Sequence, residues 1–126
     1  MSWKDHLNQR LVKENGAYAG LVCSNKTNYP VAFTDKYFLE ESTIIQIFNE
    51  CIEKKKTPLQ VLKKEFTYSL TDEDDISTFA TQDAQDDMVV ASNKKVLIIC
   101  FCKNSNLQTV YKDVKEFCEY LCTSYN

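Results

Sequence analysis

Glycine and proline are nearly absent: the 126 residues hold two of each, with one histidine and one tryptophan. Gly16 and Gly20 fit neither phosphate-cradling loop, G-x-x-x-x-G-K or G-x-G-x-x-G, and no G-x-S-x-G elbow occurs. Nucleotide binding and nucleophilic catalysis therefore have no local support. Excess positive charge is missing too. Fifteen Lys and Arg against 18 Asp and Glu leave a formal charge of −3, unsuited to phosphate-backbone binding, so no nucleic-acid partner is expected. No window approaches the roughly 18 apolar residues of a membrane-spanning helix. Residues 1–15 carry charges throughout and lack an apolar stretch, so no secretory leader is expected.

What is present is an ordinary globular balance, 44% hydrophobic and 26% charged, in a length that suits one domain over 1–126. Six cysteines are present, and Cys23, Cys51, Cys100 and Cys118 fall in apolar patterns where thiols act as small buried hydrophobes. A reduced, cytosolic chain is expected.

Ser2 is an N-cap for a helix over 3–14 that carries Trp3, Leu7 and Leu11 on one stripe and ends at Asn15-Gly16. Residues 17–24 and 29–34 form a hairpin around the turn at 25–28, with Gly20 marking a close approach or a bulge. A helix over 40–55 has a wide apolar face and a basic end, Lys54-Lys55-Lys56. Residues 59–64 read as a short helical turn. Strands follow at 64–70, 76–81, 88–92 and 95–102, the last being the most apolar run and central. In the first of these, Phe66, Tyr68 and Leu70 alternate on one buried side. A closing helix buries Leu107, Val110, Val114, Cys118 and Leu121, with Phe117 and Tyr120 on a flank. The fold class is α+β: a central antiparallel sheet of about six strands, terminal helices on one face and smaller helices on the other.

Three side-chain groups have chemical potential. Cys100 and Cys102 share a strand face, and Cys118 and Cys122 a helix face, but the spacing matches no metal knuckle. Buried thiols are the preferred reading, and no metal or cofactor is expected. Asp72 to Asp75, and Asp83, Asp86 and Asp87, lack the calcium-loop pattern and read as solvated turns. Aromatics remain. With the terminal helices side by side, Trp3, His6, Phe117, Tyr120 and Tyr125 form an exposed patch of the kind that stacks on proline rings. Trp3 reads equally well as a core anchor.

MSWKDHLNQRL, AGLVCSNKTNYPVAF, IIQIFNE, PLQ and VYKDVKEFCEYL together resemble profilin, end to end. The most specific pieces are MSW and the pattern set by Lys112, Val114, Tyr120 and Leu121. The resemblance implies a single profilin-like domain that binds rather than catalyses. Its implied partners are monomeric actin and proline-rich proteins such as formins, with phosphoinositides through Lys54, Lys55, Lys56, Lys63 and Lys64. It also implies a monomer in the cytoplasm, at the cytoskeleton. Trp3 matches the family's proline-stacking Trp. His6 stands where many members have Tyr, and Tyr120 matches the last helix's aromatic. Tyr125 is nearest to the closing Tyr, offset by one residue. The second Trp is missing, with Val31 or Phe33 nearby, which implies weaker proline binding. Lys112 matches a basic actin contact, with Tyr111 and Lys115 close to it, and Lys64 is a further actin-binding candidate. Ser69 to Asp75 is polar then acidic where the family is basic, which implies weaker actin binding. The alternative is a profilin-fold interaction scaffold with weak or no actin binding.

Overall fold

The computed structural model describes residues 2–92 and 96–124, with backbone alone for 122–124. Tyr125 and the expected turn at 93–94 lie outside the described residues. The first helix, α1 (Trp3–His6), opens with a reciprocal cap. The Asp5 N–H donates to Ser2 Oγ and the Ser2 N–H donates to Asp5 Oδ2, both at 3.2 Å. The helix then widens into a π-turn, Leu7–Leu11, closed by the Val12 N–H donating to the Leu7 carbonyl at 2.9 Å. The helix expected to reach residue 14 thus stops at Leu11. Val12 is already extended and bridges Ala17. The wider turn lets Leu7 and Leu11 both bury before the chain bends back into the sheet.

Among the described residues, seven antiparallel strands form one sheet in the order β2-β1-β7-β6-β5-β4-β3. They are β1 (Ala19–Ser24), β2 (Pro30–Phe33), β3 (Leu59–Val61), β4 (Lys64–Thr71), β5 (Ser77–Thr81), β6 (Asp86–Ser92) and β7 (Val96–Lys103). β7 is central, and its residues from Val96 to Cys102 are all buried. The seventh strand is β3, where a helical turn was expected. Pro58 disfavours helix in the residue before it, and Val61 pairs with Lys64 across a two-residue turn. Leu62 and Lys63 both take positive φ there, 50° and 68°. That is the backbone of a primed hairpin turn, without its usual Asn-Gly signature.

Helix α2 (Glu41–Glu53) lays Ile44 and Ile47 on one sheet face, over Leu21, Phe79, Ile99 and Phe101. Among the described residues it is the helix of that face. Helix α3 (Leu107–Ser124) and α1 cover the other, over Val22, Val89, Ile98 and Cys100. A Cβ on Gly20 would lie 3.0 Å from Leu7 Cδ1 and 3.2 Å from the Ile99 carbonyl oxygen. The close approach expected there is real, and glycine lets the N-terminal helix settle onto β1 and β7. The bulge lies further along the strand, between Val22 and Cys23.

Asp86 and Asp87 correct the reading of solvated turns: both are buried in β6. Asp86 accepts from Lys64 Nζ at 2.9 Å and from the Tyr18 hydroxyl at 3.2 Å, and Lys103 Nζ stands 3.4 Å away. Burial works against its ionised form, but these partners win and hold its carboxyl below the usual range. Burial raises Asp87 instead, only partly offset by Asn104 Nδ2 donating to it at 2.7 Å. Cys23, Cys100 and Cys102 are buried free thiols, and burial pushes Cys23 and Cys102 up to about 12. No metal-holding group of His, Cys, Asp and Glu forms among the described residues.

Replacing Leu62-Lys63 by Asn-Gly should stabilise the fold by about 1 kcal/mol, since left-handed backbone costs ordinary side chains about that much. The urea midpoint should rise with an unchanged slope. A lower midpoint would mean that the Leu62 side chain contributes more than the turn strain.

Candidate functional site

The terminal helices meet at an aromatic junction. Trp3 and Tyr120 are half-buried at its rim, and His6 and Phe117 are buried beneath. The His6 ring centroid lies 5.6 Å from Trp3, 5.7 Å from Phe117 and 5.8 Å from Tyr120. His6 and Phe117 are therefore the floor of the junction and not exposed stacking rings. Phe117 continues the buried series Val110, Val114 and Leu121, while Cys118, expected in that series, is only partly covered. Arg10 stacks on the Tyr120 ring, its Cζ 3.9 Å from the centroid. The π-turn holds Arg10 next to α3, and nothing in the residue spacing signals that placement.

Phe33 is not brought to this junction. On β2 it is Ala32, paired with Val22, that packs in the same core as Trp3. Phe33 points to the α2 side, with its ring 5.4 Å from Phe38. The junction thus has a small residue where a second large ring would complete an aromatic trough. Tyr125 lies outside the described residues.

A second surface lies along α3. The helix makes its main sheet contacts with β6 and β7, which leaves the same face of β4 and of the Ala80 end of β5 partly uncovered, while Thr78 in β5 stays buried. Thr67 and Ala80 are partly exposed there. Leu70, expected on the buried side with Phe66 and Tyr68, is 53% exposed. A register shift between Tyr68 and Leu70 turns it to pair with Thr78 on the α3 face. Tyr111 is partly buried against the core beside this surface. Lys112 is exposed, with Glu116 at 4.0 Å. Lys115 Nζ lies 3.1 Å from Asp74 Oδ2, and this contact holds its ammonium above the usual range. Asp72 Oδ1 accepts from the Asp74 and Ile76 N–H groups, both at 2.9 Å, which presents the acidic turn as a fixed edge. Lys64 is not part of this surface. It lies on the α2 side, bound to Asp86.

Of the lysines grouped for anionic lipids, Lys54, Lys56 and Lys63 are exposed, Lys55 pairs with Glu53 at 2.9 Å, and Lys64 is engaged as described. No helix among the described residues is long and apolar enough to cross a membrane.

A family model described as Profilin matches residues 1–125. No curated protein sequence matches the chain. Among solved structures, Schizosaccharomyces pombe profilin is 11% identical with a TM-score of 0.83, covering 99% of this chain and 100% of its own. Acanthamoeba castellanii profilin IA is 10% identical with a TM-score of 0.81, at 95% and 96% coverage. LokiProfilin2, solved in complex with rabbit actin, is 17% identical with a TM-score of 0.68, at 98% and 99% coverage. At these identities the likeness to solved structures is one of fold.

Burial, reinforced by the Arg10 charge, lowers His6 from its ordinary 6.5, with Asp5 opposing. The folded state thus holds His6 neutral where the unfolded chain would take up a proton. The associated stability is present above about pH 6.5 and is lost as pH falls through the folded value. Melting temperature should fall between pH ~7.5 and ~5.5, and the fall should be shallower in His6→Phe. Equal slopes in both proteins would assign the loss to other groups.

Proposed function

Because the chain belongs to the profilin family, we propose that it binds monomeric actin and, separately, proline-rich ligands, and so regulates filament assembly. The observation that carries this is the partly uncovered face of β4 and the Ala80 end of β5 beside α3, with Leu70 exposed on it. LokiProfilin2, of the same fold, was solved with rabbit actin. In this reading Leu70 and Tyr111 supply apolar area and Lys112 supplies charge. Lys115 reaches actin only by giving up Asp74.

Proline-rich segments, such as those of formins, dock at the α1–α3 junction. A polyproline-II strand has flat ring faces and free carbonyls. Trp3 offers a stacking surface and an indole N–H, and Tyr120 offers a ring and a hydroxyl. Ala32 leaves the trough short of one ring, so affinity is modest. Phosphoinositides have exposed Lys54, Lys56 and Lys63 as their available contacts. The protein acts by binding and not by catalysis, in the cytoplasm and at the actin cytoskeleton.

A second reading keeps the fold without actin. It is favoured by the acidic β4–β5 turn and by the Asp74–Lys115 pair, which set negative charge on the proposed actin face. Lys112→Glu separates the two. Actin binding should weaken about tenfold, read as lost inhibition of spontaneous nucleation of labelled actin, with polyproline binding intact. Trp3→Ala should do the reverse, weakening polyproline binding about tenfold. A wild-type protein that never slows nucleation would leave the scaffold reading in place.

A further inference from the structure

Helix α2 ends where Lys54 takes left-handed backbone, φ 56°, and its N–H donates to the Glu50 carbonyl at 2.7 Å. The chain then brings Thr57 and Pro58 beside the helix and enters β3, an edge strand of the sheet. A groove of about 400 Å³ lies between the two segments. Gln46, Asn49 and Glu53 are exposed along its helix wall. Glu50 lines the same wall but is only 7% exposed, so it forms the floor. Its Oε2 is closed to solvent and accepts no hydrogen bond. No ion pair among the described residues reaches its carboxylate. The lysine that lines the groove, Lys55, is held by Glu53 Oε2 at 2.9 Å. A buried carboxylate without a partner destabilises the fold, so its presence calls for a reason.

We propose that this groove receives a guanidinium group, presented on an arginine side chain of another protein, with Glu50 as its counter-ion. The incoming cation supplies the partner that the folded chain leaves out, in a setting shielded from water where a charge-assisted contact is strong. A guanidinium suits the groove better than an ammonium. It is planar, more weakly hydrated and carries five N–H donors. Two can face Glu50, and the rest have the side-chain carbonyls of Gln46, Asn49 and Gln60 among the groove's lining. Pro58 and Leu59 offer apolar surface to the methylene stem. A divalent ion finds too few ligands, since no group of three His, Cys, Asp or Glu forms among the described residues. A free amino acid brings an α-carboxylate to a groove whose lysine is already taken by Glu53, which favours a side chain within a protein as the source. The groove lies on the α2 side of the sheet, across from both surfaces that involve α3. It does not depend on what either of those binds.

Amide spectra of the labelled whole chain at neutral pH, titrated with a blocked Gly-Arg-Gly peptide to millimolar concentrations, test this. The amides of Asn49, Glu50 and Gln60 should shift along saturable curves. The matching citrulline peptide, of the same shape without the charge, should bind about tenfold more weakly, and the lysine peptide several-fold more weakly. Free arginine that binds as tightly as the blocked peptide assigns the guanidinium to a small-molecule source, and weaker binding assigns it to a protein. Glu50→Gln should weaken the arginine peptide about tenfold. It should leave the urea midpoint unchanged or higher, because it removes an unpaired buried charge and keeps the side chain's shape. The absence of any saturable shift overturns the proposal, as does a citrulline peptide that binds equally well. So does a Glu50→Gln protein that binds undiminished, or one that unfolds at lower urea, since Glu50 then has a structural partner.

Discussion

Everything in this molecule depends on a strand that is buried on both sides. From Val96 to Cys102, β7 presents only apolar side chains, so the sheet must be roofed above and below. Each fully buried aliphatic or aromatic side chain contributes about 1.5–3 kcal/mol, and β7 gathers more of them than any other strand. The roofs follow from that demand. On one side α2 lowers Ile44 and Ile47 onto the sheet, and on the other α3 sets Val110, Val114, Phe117 and Leu121 across it. Gly20 lets Leu7 reach the same layer from the N-terminal helix. Because α3 is centred over β6 and β7, its roof thins towards β4 and the Ala80 end of β5, and that partly exposed part of the sheet is the surface proposed for actin.

Much of the fold is legible in the residues, and the reasons are local. The apolar run of β7, the helical spacing of α2 and α3, the Ser2 cap and the hairpin of β1 and β2 each announce themselves within a few residues. What is not legible depends on distant partners or on backbone choices without a sequence mark. β3 turns back through Leu62 and Lys63, residues that rarely take positive φ. Asp86 and Asp87 look like turn residues until Lys64, Lys103, Tyr18 and Asn104 arrive from elsewhere in the chain to satisfy them. Leu70 keeps its place in the alternating pattern but is turned over by a shift that nothing in 64–71 signals.

The candidate sites divide the same way. Trp3 and Tyr120 were recognisable as neighbours once the terminal helices were set side by side, and they do share a junction. His6 and Phe117 belong to that junction as its floor, because α3 rotates Phe117 into the core and His6 sits against it. The π-turn places Arg10 over Tyr120, a contact that a regular helix over 3–14 would not have suggested. Phe33 went to the opposite side of the sheet, since strand alternation sends Ala32 and not Phe33 towards Trp3. Lys112 and Lys115 are on the α3 surface, while Lys64 serves Asp86 on the far face.

The central claim is that α3 serves two separate binding surfaces, one shared with α1 and one shared with β4 and β5. Backbone amide spectra of the labelled chain, titrated first with a proline-rich peptide and then with monomeric actin, test this most directly. The account predicts that the peptide shifts the Trp3 indole, Ala32 and Tyr120 and leaves Leu70 and Ala80 still. Actin should then broaden Leu70, Ala80 and Tyr111 with the peptide still bound. Displacement of the peptide by actin, or shifts confined to neither surface, would contradict it.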